Sequence, residues 1–351
     1  MTFVQMTRRF LVGGLLTSTA SGVAAADHAT GKIRLAQASS GDHPQTTTQR
    51  TGTEMAISLK QINAGVLNVG YVEMGPADGW PVLLMHGFPY DIHAYDEVAP
   101  LLVAEGARVI IPYLRAYGPT RFLSSSTPRS GQQGALAADL LALMDALKIQ
   151  SALLAGYDWG GRAACIVAAL WPDRAKGLVS YNSYNIHNIP KAMEPDKPEG
   201  EYGIWYQYYF QSERGRAGLQ KDRKAFCHLL WKLWSPSWKF DEATFEKTAQ
   251  SFDNPDFVDV VIHSYRHRFG AVAGDPAYEE IEQRLVKQPN ITVPTITLDG
   301  ATDGIRPTGT ASQASHFTGR HEHRMIENAG HNIAQEAPRA FADAVLAVHK
   351  W

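Results

Sequence analysis

The sequence predicts an α/β protein built on a mostly parallel sheet with helices on both faces. Three observations carry this. Short, continuous apolar runs recur along the chain, as central parallel strands buried on both faces require. Helix-forming stretches separate these runs. One interval, residues 185–287, breaks the alternation and reads as aromatic-rich helices with no buried parallel strand, which is an insertion between the sixth and seventh strands.

Taken in chain order, the first segment is a processing signal. A basic pair, Arg8-Arg9, precedes an apolar stretch from Phe10 to Leu16, and Ala24-Ala25-Ala26 fits a small-residue cleavage site after Ala26. The apolar run is too short for a bilayer, which needs about 20 residues. The pair resembles a twin-arginine export signal but departs from it, because Phe10 follows directly where a spacer is usual. The mature protein is therefore expected in the periplasm or outside the cell, with no membrane attachment after processing. Residues 27–54, rich in Ala, Ser, Thr, Gln and Gly, lack apolar periodicity and read as a flexible leader.

From residue 55 onward the structured part begins. "MAISLKQI" and "VLNVGYVEMG" alternate apolar and polar residues, as half-buried antiparallel strands do. "PVLLMHG", "RVIIPYL", "SALLAGYD", "AKGLVSYNS" and "ITVPTITLDG" are the buried runs, and residues 94–104, 131–148, 160–171 and 334–349 are the helical stretches between and after them. The core thus comprises 55–184 and 288–351. Cys165 and Cys227 are far apart in sequence and read as two unpaired core thiols. The formal net charge of −2, with 44% apolar and 19% charged residues, lacks the basic surplus of a nucleic-acid binder. No zinc-like ligand spacing, phosphate loop or dinucleotide fingerprint is present, so neither metal nor cofactor is expected.

The chemistry concentrates in "LLAGYDWGGRAACIVAAL", residues 153–170, where a buried strand turns through glycines into a helix with Asp158 at the tip. A side chain on such a corner is lifted above the sheet, and the helix N-terminus beneath it stabilises negative charge. This resembles the G-x-nucleophile-x-G elbow of the α/β-hydrolase fold, with Asp in place of the usual Ser. "LLMHGFPYD", ending the third strand, resembles the HGxP segment of epoxide hydrolases and their dehalogenase relatives. "TLDGATDG" offers Asp303 in a late loop, with Asp299 as runner-up, and "NAGHN" presents His331 before the last helix. Nucleophile, acid and histidine run in the α/β-hydrolase order. The resemblance covers residues 55–350 and implies that 185–287 is a helical cap. It also implies that His86 is a structural residue beside the oxyanion hole.

A carboxylate nucleophile attacking an ester would form an anhydride, whereas attack on a saturated carbon forms an ordinary ester. Water activated by His331, itself oriented by Asp303, then hydrolyses that ester. The backbone N–H groups of Phe88 and Trp159 are expected to hold the oxyanion. An epoxide releases an alkoxide that needs a proton, and the family places two cap tyrosines over the nucleophile. "WYQYYFQ" and "IHSYRHRF" resemble these segments, with Tyr206 and Tyr265 at the matching positions and Tyr208 or Tyr209 as alternatives to the first. Trp205 and Tyr209 are expected to bind substrate. The cap's aromatic content suggests an apolar or aryl-bearing epoxide. The same nucleophile also serves haloalkane and haloacid dehalogenases. Arg162 matches a carboxylate-binding arginine of the haloacid group, and Arg115 could assist it. A non-catalytic, ligand-binding protein of the same fold is the third reading. The expected partners are a small apolar epoxide or halogenated molecule and water, with no nucleic acid.

Overall fold

The computed structural model describes residues 58–351, and the export signal and leader lie outside them. Its strands are β1 (Leu59–Ala64), β2 (Leu67–Met74), β3 (Trp80–Met85), β4 (Ala107–Pro112), β5 (Arg121–Phe122), β6 (Ala152–Gly156), β7 (Ala175–Tyr181), β8 (Thr295–Gly300) and β9 (His321–Ile326). They form one sheet in the order β1-β2-β4-β3-β6-β7-β8-β9, with β5 paired to β2. The alternating patterns of β1 and β2 do make the antiparallel edge. From β4 to β9 neighbouring strands are parallel. All five residues of β6 and all six of β8 are buried, the first as its unbroken apolar character requires and the second with Thr295, Thr297 and Asp299 buried among its apolar residues.

Two helix pairs flank this sheet: Gln133–Ala146 against Asp158–Leu170, and Val98–Val103 against Pro338–His349. The stretch 94–104 resolves into a short turn, Ile92–Tyr95, and a shorter helix. The stretch 334–349 breaks at Pro338, whose ring starts a new helix but cannot continue the preceding one. Strand β9, "HEHRMI", has no counterpart among the apolar runs because it lies at the sheet edge and none of its six residues is fully buried.

The insertion enters between β7 and β8 and holds seven α-helices, among them Trp205–Gln211, Arg223–Trp234 and Phe257–Arg268. It is fastened to the core by directed bonds. The Trp231 indole donates to the Pro89 carbonyl at 2.9 Å, and Thr248 and Ser251 donate to the buried Asp91 carboxylate. The Gly304 and His331 amides both donate to the Trp234 carbonyl. Residues 58–351 accordingly belong to one compact unit. Cys165 and Cys227 are both buried and unpaired.

Candidate active site

The corner after β6 is geometrically demanding. Tyr157 is extended, and Asp158, the first residue of its helix, has a φ of +50°, in the left-handed region. Such strain persists only where neighbours hold it in place. Glycines allow the close approach: a Cβ on Gly160 would stand 2.2 Å from the Met85 carbonyl oxygen, and one on Gly87 would stand 2.4 Å from the Asp158 Cβ. The loop after β3 therefore lies directly against the nucleophile corner. There the Phe88 amide donates to Asp158 Oδ1 at 2.7 Å. Trp159 sits in the first helical turn, where backbone N–H groups have no intrahelical acceptor.

His331 stands on the other side. Its Nε2 is 3.9 Å from Asp158 Oδ2, and its Nδ1 is 3.1 Å from Asp303 Oδ2. That second distance fixes the ring by donation from Nδ1. Asp303 is itself held by Tyr181, Asn182 and the amides of Ile305 and Arg306. Asp299, by contrast, accepts from the Thr310 hydroxyl and amide and pins a loop. Burial would push the Asp158 and Asp303 carboxyls up, but His331 leads the interactions that hold both below the ordinary carboxylate range. Burial likewise disfavours the imidazolium, yet Asp303 and Asp158 outweigh it and push His331 up to about 9. His86 accepts from the Leu114 amide through Nε2, and burial lowers its pKa to about 4, so it is a neutral structural residue.

The roof of the site comes from the cap. Tyr206 and Tyr265 are buried with ring centroids 5.3 Å apart, and Tyr265 lies 5.9 Å from Trp159. The Tyr206 hydroxyl accepts from Gln207, and the Tyr265 hydroxyl has no partner. Burial raises both phenols, so both remain protonated donors at neutral pH. The cavity beneath has a volume of about 280 Å³ and is bordered by Asp158, His331, Tyr206, Arg162, Gln207 and Arg268; Tyr265, also expected there, does not border it, and its hydroxyl is buried.

Several expectations need correction here. Trp205 and Tyr209 do not border this cavity; they project the other way on their helix and pack against Phe226. Tyr208 does reach the cavity lining but is largely exposed and bonded to Glu201. Arg115 is engaged bidentately by Asp139 at 2.6 and 2.7 Å and takes no part. The lining is not the apolar pocket that the aromatic content suggested, because the cap's rings pack among themselves while Asn182, Asn185, His187 and Gln207 are among the residues that border it. Sequence reasoning missed Gln207 and Arg268. The spacing held a signal for Arg268, which lies three residues after Tyr265 on the same helical face.

The profile of the α/β hydrolase fold matches residues 81–338. The chain belongs to the α/β-hydrolase fold family. Among solved structures, a candidate epoxide hydrolase from Klebsiella pneumoniae is 51% identical, with a TM-score of 0.82 over 84% of this chain and 97% of that one. "Epoxide hydrolase 2" of Siraitia grosvenorii is 34% identical over 38% of this chain and 40% of its own length. A "Haloalkane dehalogenase" of Psychrobacter cryohalolentis is 33% identical over 33% of this chain and 38% of its own length. The matches thus span about two fifths of these two curated relatives. The protein is an epoxide-hydrolase-like member of its family. Among the described residues no helix is long and apolar enough to cross a membrane.

Proposed function

We propose that the protein opens epoxides to vicinal diols through an ester on Asp158. One observation carries this reading: the two carboxylate oxygens are differentiated. Oδ1 is held by the Phe88 amide, whereas Oδ2 has no hydrogen bond shorter than its 3.9 Å approach to His331. Oδ2 attacks an epoxide carbon, the ring C–O bond breaks, and Tyr206 or Tyr265 protonates the departing alkoxide. Oδ1 becomes the ester carbonyl oxygen already lying beside its N–H donor.

Esterification also prepares the second step. It removes the Asp158 charge, one of the two that hold His331 protonated, so the imidazole pKa falls and the ring releases its proton. Neutral His331 then takes a proton from water, and the resulting hydroxide attacks the ester carbon. The oxyanion on Oδ1 is held by the Phe88 and Trp159 amides. Collapse expels the diol oxygen, which takes its proton from His331; the carboxylic acid left on Asp158 then passes its proton to His331, and the phenol regains its own from solvent. The sum is epoxide plus water to diol.

The test is a single turnover of styrene oxide in heavy-oxygen water followed by mass analysis of the peptide carrying Asp158. Label in that side chain is expected; label in the diol alone would exclude the ester. Loss of hydrolysis in Asp158→Ala separates an enzyme from a binding protein. Carbon–halogen cleavage by the same nucleophile is the second reading, favoured by the arginines in the cavity, and halide release from chloroacetate tests it. Export rests on Arg8-Arg9 and the Ala24–Ala26 site; detection of a chain beginning at Asp27 in the periplasmic fraction tests that part.

A further inference from the structure

Three arginines of the described chain are buried: Arg115, Arg162 and Arg268. Arg115 has Asp139. Arg162 and Arg268, 5% and 9% exposed, have no carboxylate within ion-pairing distance among the described residues. Arg162 donates Nε to the Asn185 carbonyl at 3.1 Å. Arg268 donates Nη1 to Gln207 Oε1 at 3.3 Å and lies 4.6 Å over the Tyr265 ring, and its Nη2 is buried with no partner. Both border the cavity that holds Asp158, as does His187, whose Nε2 is likewise unpartnered.

We propose that Arg162 and Arg268 form a carboxylate subsite, so that the epoxides taken by this cavity are short epoxy acids. The inference rests on the epoxide-opening reading above and names its substrate class. Buried cations without counter-ions are disfavoured unless something else supplies the negative charge. Of the acidic side chains bordering the cavity, Asp158 is shared with His331, and Glu194, Asp196 and Glu201 are exposed or half-buried. Counting Asp158, Asp303, protonated His331 and the two guanidinium groups leaves one positive charge uncompensated, and esterification of Asp158 with release of the His331 proton leaves that charge still uncompensated. A substrate carboxylate supplies the missing charge, and guanidinium groups match its planar, bidentate geometry. Burial first, and then the neighbouring Arg268, push Arg162 down to about 9, so it is still charged at neutral pH.

The position is also informative. Arg162 lies four residues after Asp158, one turn along the same helix, so its head group and the nucleophile are neighbours. Arg268 enters from the cap beside Tyr265. The carboxylate is thereby held between core and cap, next to the carbon under attack, with the alkoxide toward the tyrosines. The acidic residues of the outer mouth, Glu194, Asp196 and Glu201, are solvated or part-solvated, and salt screens them over about 8 Å at physiological ionic strength.

The experiment compares trans-3-phenylglycidate with the neutral, near-isosteric 3-phenylglycidamide and with styrene oxide, reading kcat/KM from diol formation. The acid is expected to be preferred at least about tenfold. Arg268→Gln is expected to remove that preference, bringing the acid-to-amide ratio close to one, and Arg268→Lys to restore part of it. A second readout needs no turnover: phenylacetate should raise the Tm of the wild-type protein, phenylacetamide should not, and Arg268→Gln should lose the phenylacetate shift. If both neutral epoxides are opened, the acid is no better and phenylacetate does not bind, the subsite is overturned while the epoxide reading stands. If no epoxide is opened but chloroacetate releases chloride and phenylacetate binds, the carboxylate subsite stands and the epoxide reading falls. Should Arg268→Gln fail to fold, the wild-type acid-to-amide preference and the phenylacetate shift decide alone.

Discussion

The floor and the roof of the cavity are built on opposite plans. On the floor, Asp303 receives five donors across its two oxygens, His331 Nδ1 is fixed by Asp303, and the Phe88 amide grips Asp158, which leaves His331 Nε2 and the Trp159 indole as the atoms without a partner. On the roof, Tyr265 and Arg268 carry buried polar atoms with no partner, and Tyr206 has only Gln207. A low-dielectric site strengthens every satisfied bond and penalises every unsatisfied one. The floor is therefore organised before substrate arrives. On the reading proposed above, the substrate completes the roof. The difference separates two questions: the floor decides which bond-making step occurs, and the roof decides which molecule undergoes it.

Breaking the floor should cost most. Asp158→Ala is expected to reduce diol formation by about 10⁴-fold or more, as removal of a nucleophile does elsewhere, measured by steady-state kcat on styrene oxide. His331→Gln comes next, slowing turnover by about 10²–10⁴-fold. It should also separate the half-reactions, with the protein gaining the mass of one epoxide because the ester forms but is not hydrolysed. Failure of that adduct to accumulate would count against ester formation preceding the histidine-dependent step. The roof should yield less. Tyr206→Phe or Tyr265→Phe is expected to cost about 10- to 100-fold in kcat, because the remaining phenol still donates, and the double variant should lose nearly all activity. Equal rates for the double variant and the wild type would remove the tyrosines from the chemistry.

The same contrast governed what the sequence disclosed. The floor was legible because sheet geometry forces it. A nucleophile at φ +50° needs Gly160 where a Cβ would strike the Met85 carbonyl, and a loop that touches Asp158 needs Gly87. These demands leave fixed spacings in the chain. Asp303 could be told from Asp299 by its reach into the loop, and the geometry agrees. The roof leaves weaker traces, since an amphipathic helix fixes only which residues share a face. Tyr206 and Tyr265 were found by resemblance. Trp205 and Tyr209 were misdirected because aromatic content does not say which side of a helix faces the cavity, and one residue's step turns a side chain by about 100°. Arg268 leaves no trace of its own in the sequence, since the neighbouring Arg266 pairs outward with Glu213 and only helical spacing tells the two apart. Edge strand β9 was lost for a related reason: half-exposed strands carry too many polar residues to show as an apolar run.

The smallest predicted effect is on stability, and it also distinguishes the two sides. His331 has its pKa raised from 6.5 in the unfolded chain to about 9, so its contribution is complete below pH 6.5 and is lost as pH rises through about 9. Asp158 and Asp303 are held below their ordinary value of 3.8, so their contributions are present above that value and disappear as pH falls below it. The His331 contribution should therefore lower the Tm by a few degrees between about pH 6.5 and 9, whereas His86, which burial holds down to about 4, costs stability as pH falls from 6.5 toward 4. In His331→Gln the alkaline decline should flatten. In Tyr206→Phe and Tyr265→Phe it should persist, because both phenols are raised and carry no charge in this range. A wild-type Tm that stays level from pH 6.5 to 9, or a decline that the tyrosine variants remove, would mean that the positive charge of the resting site does not reside on His331.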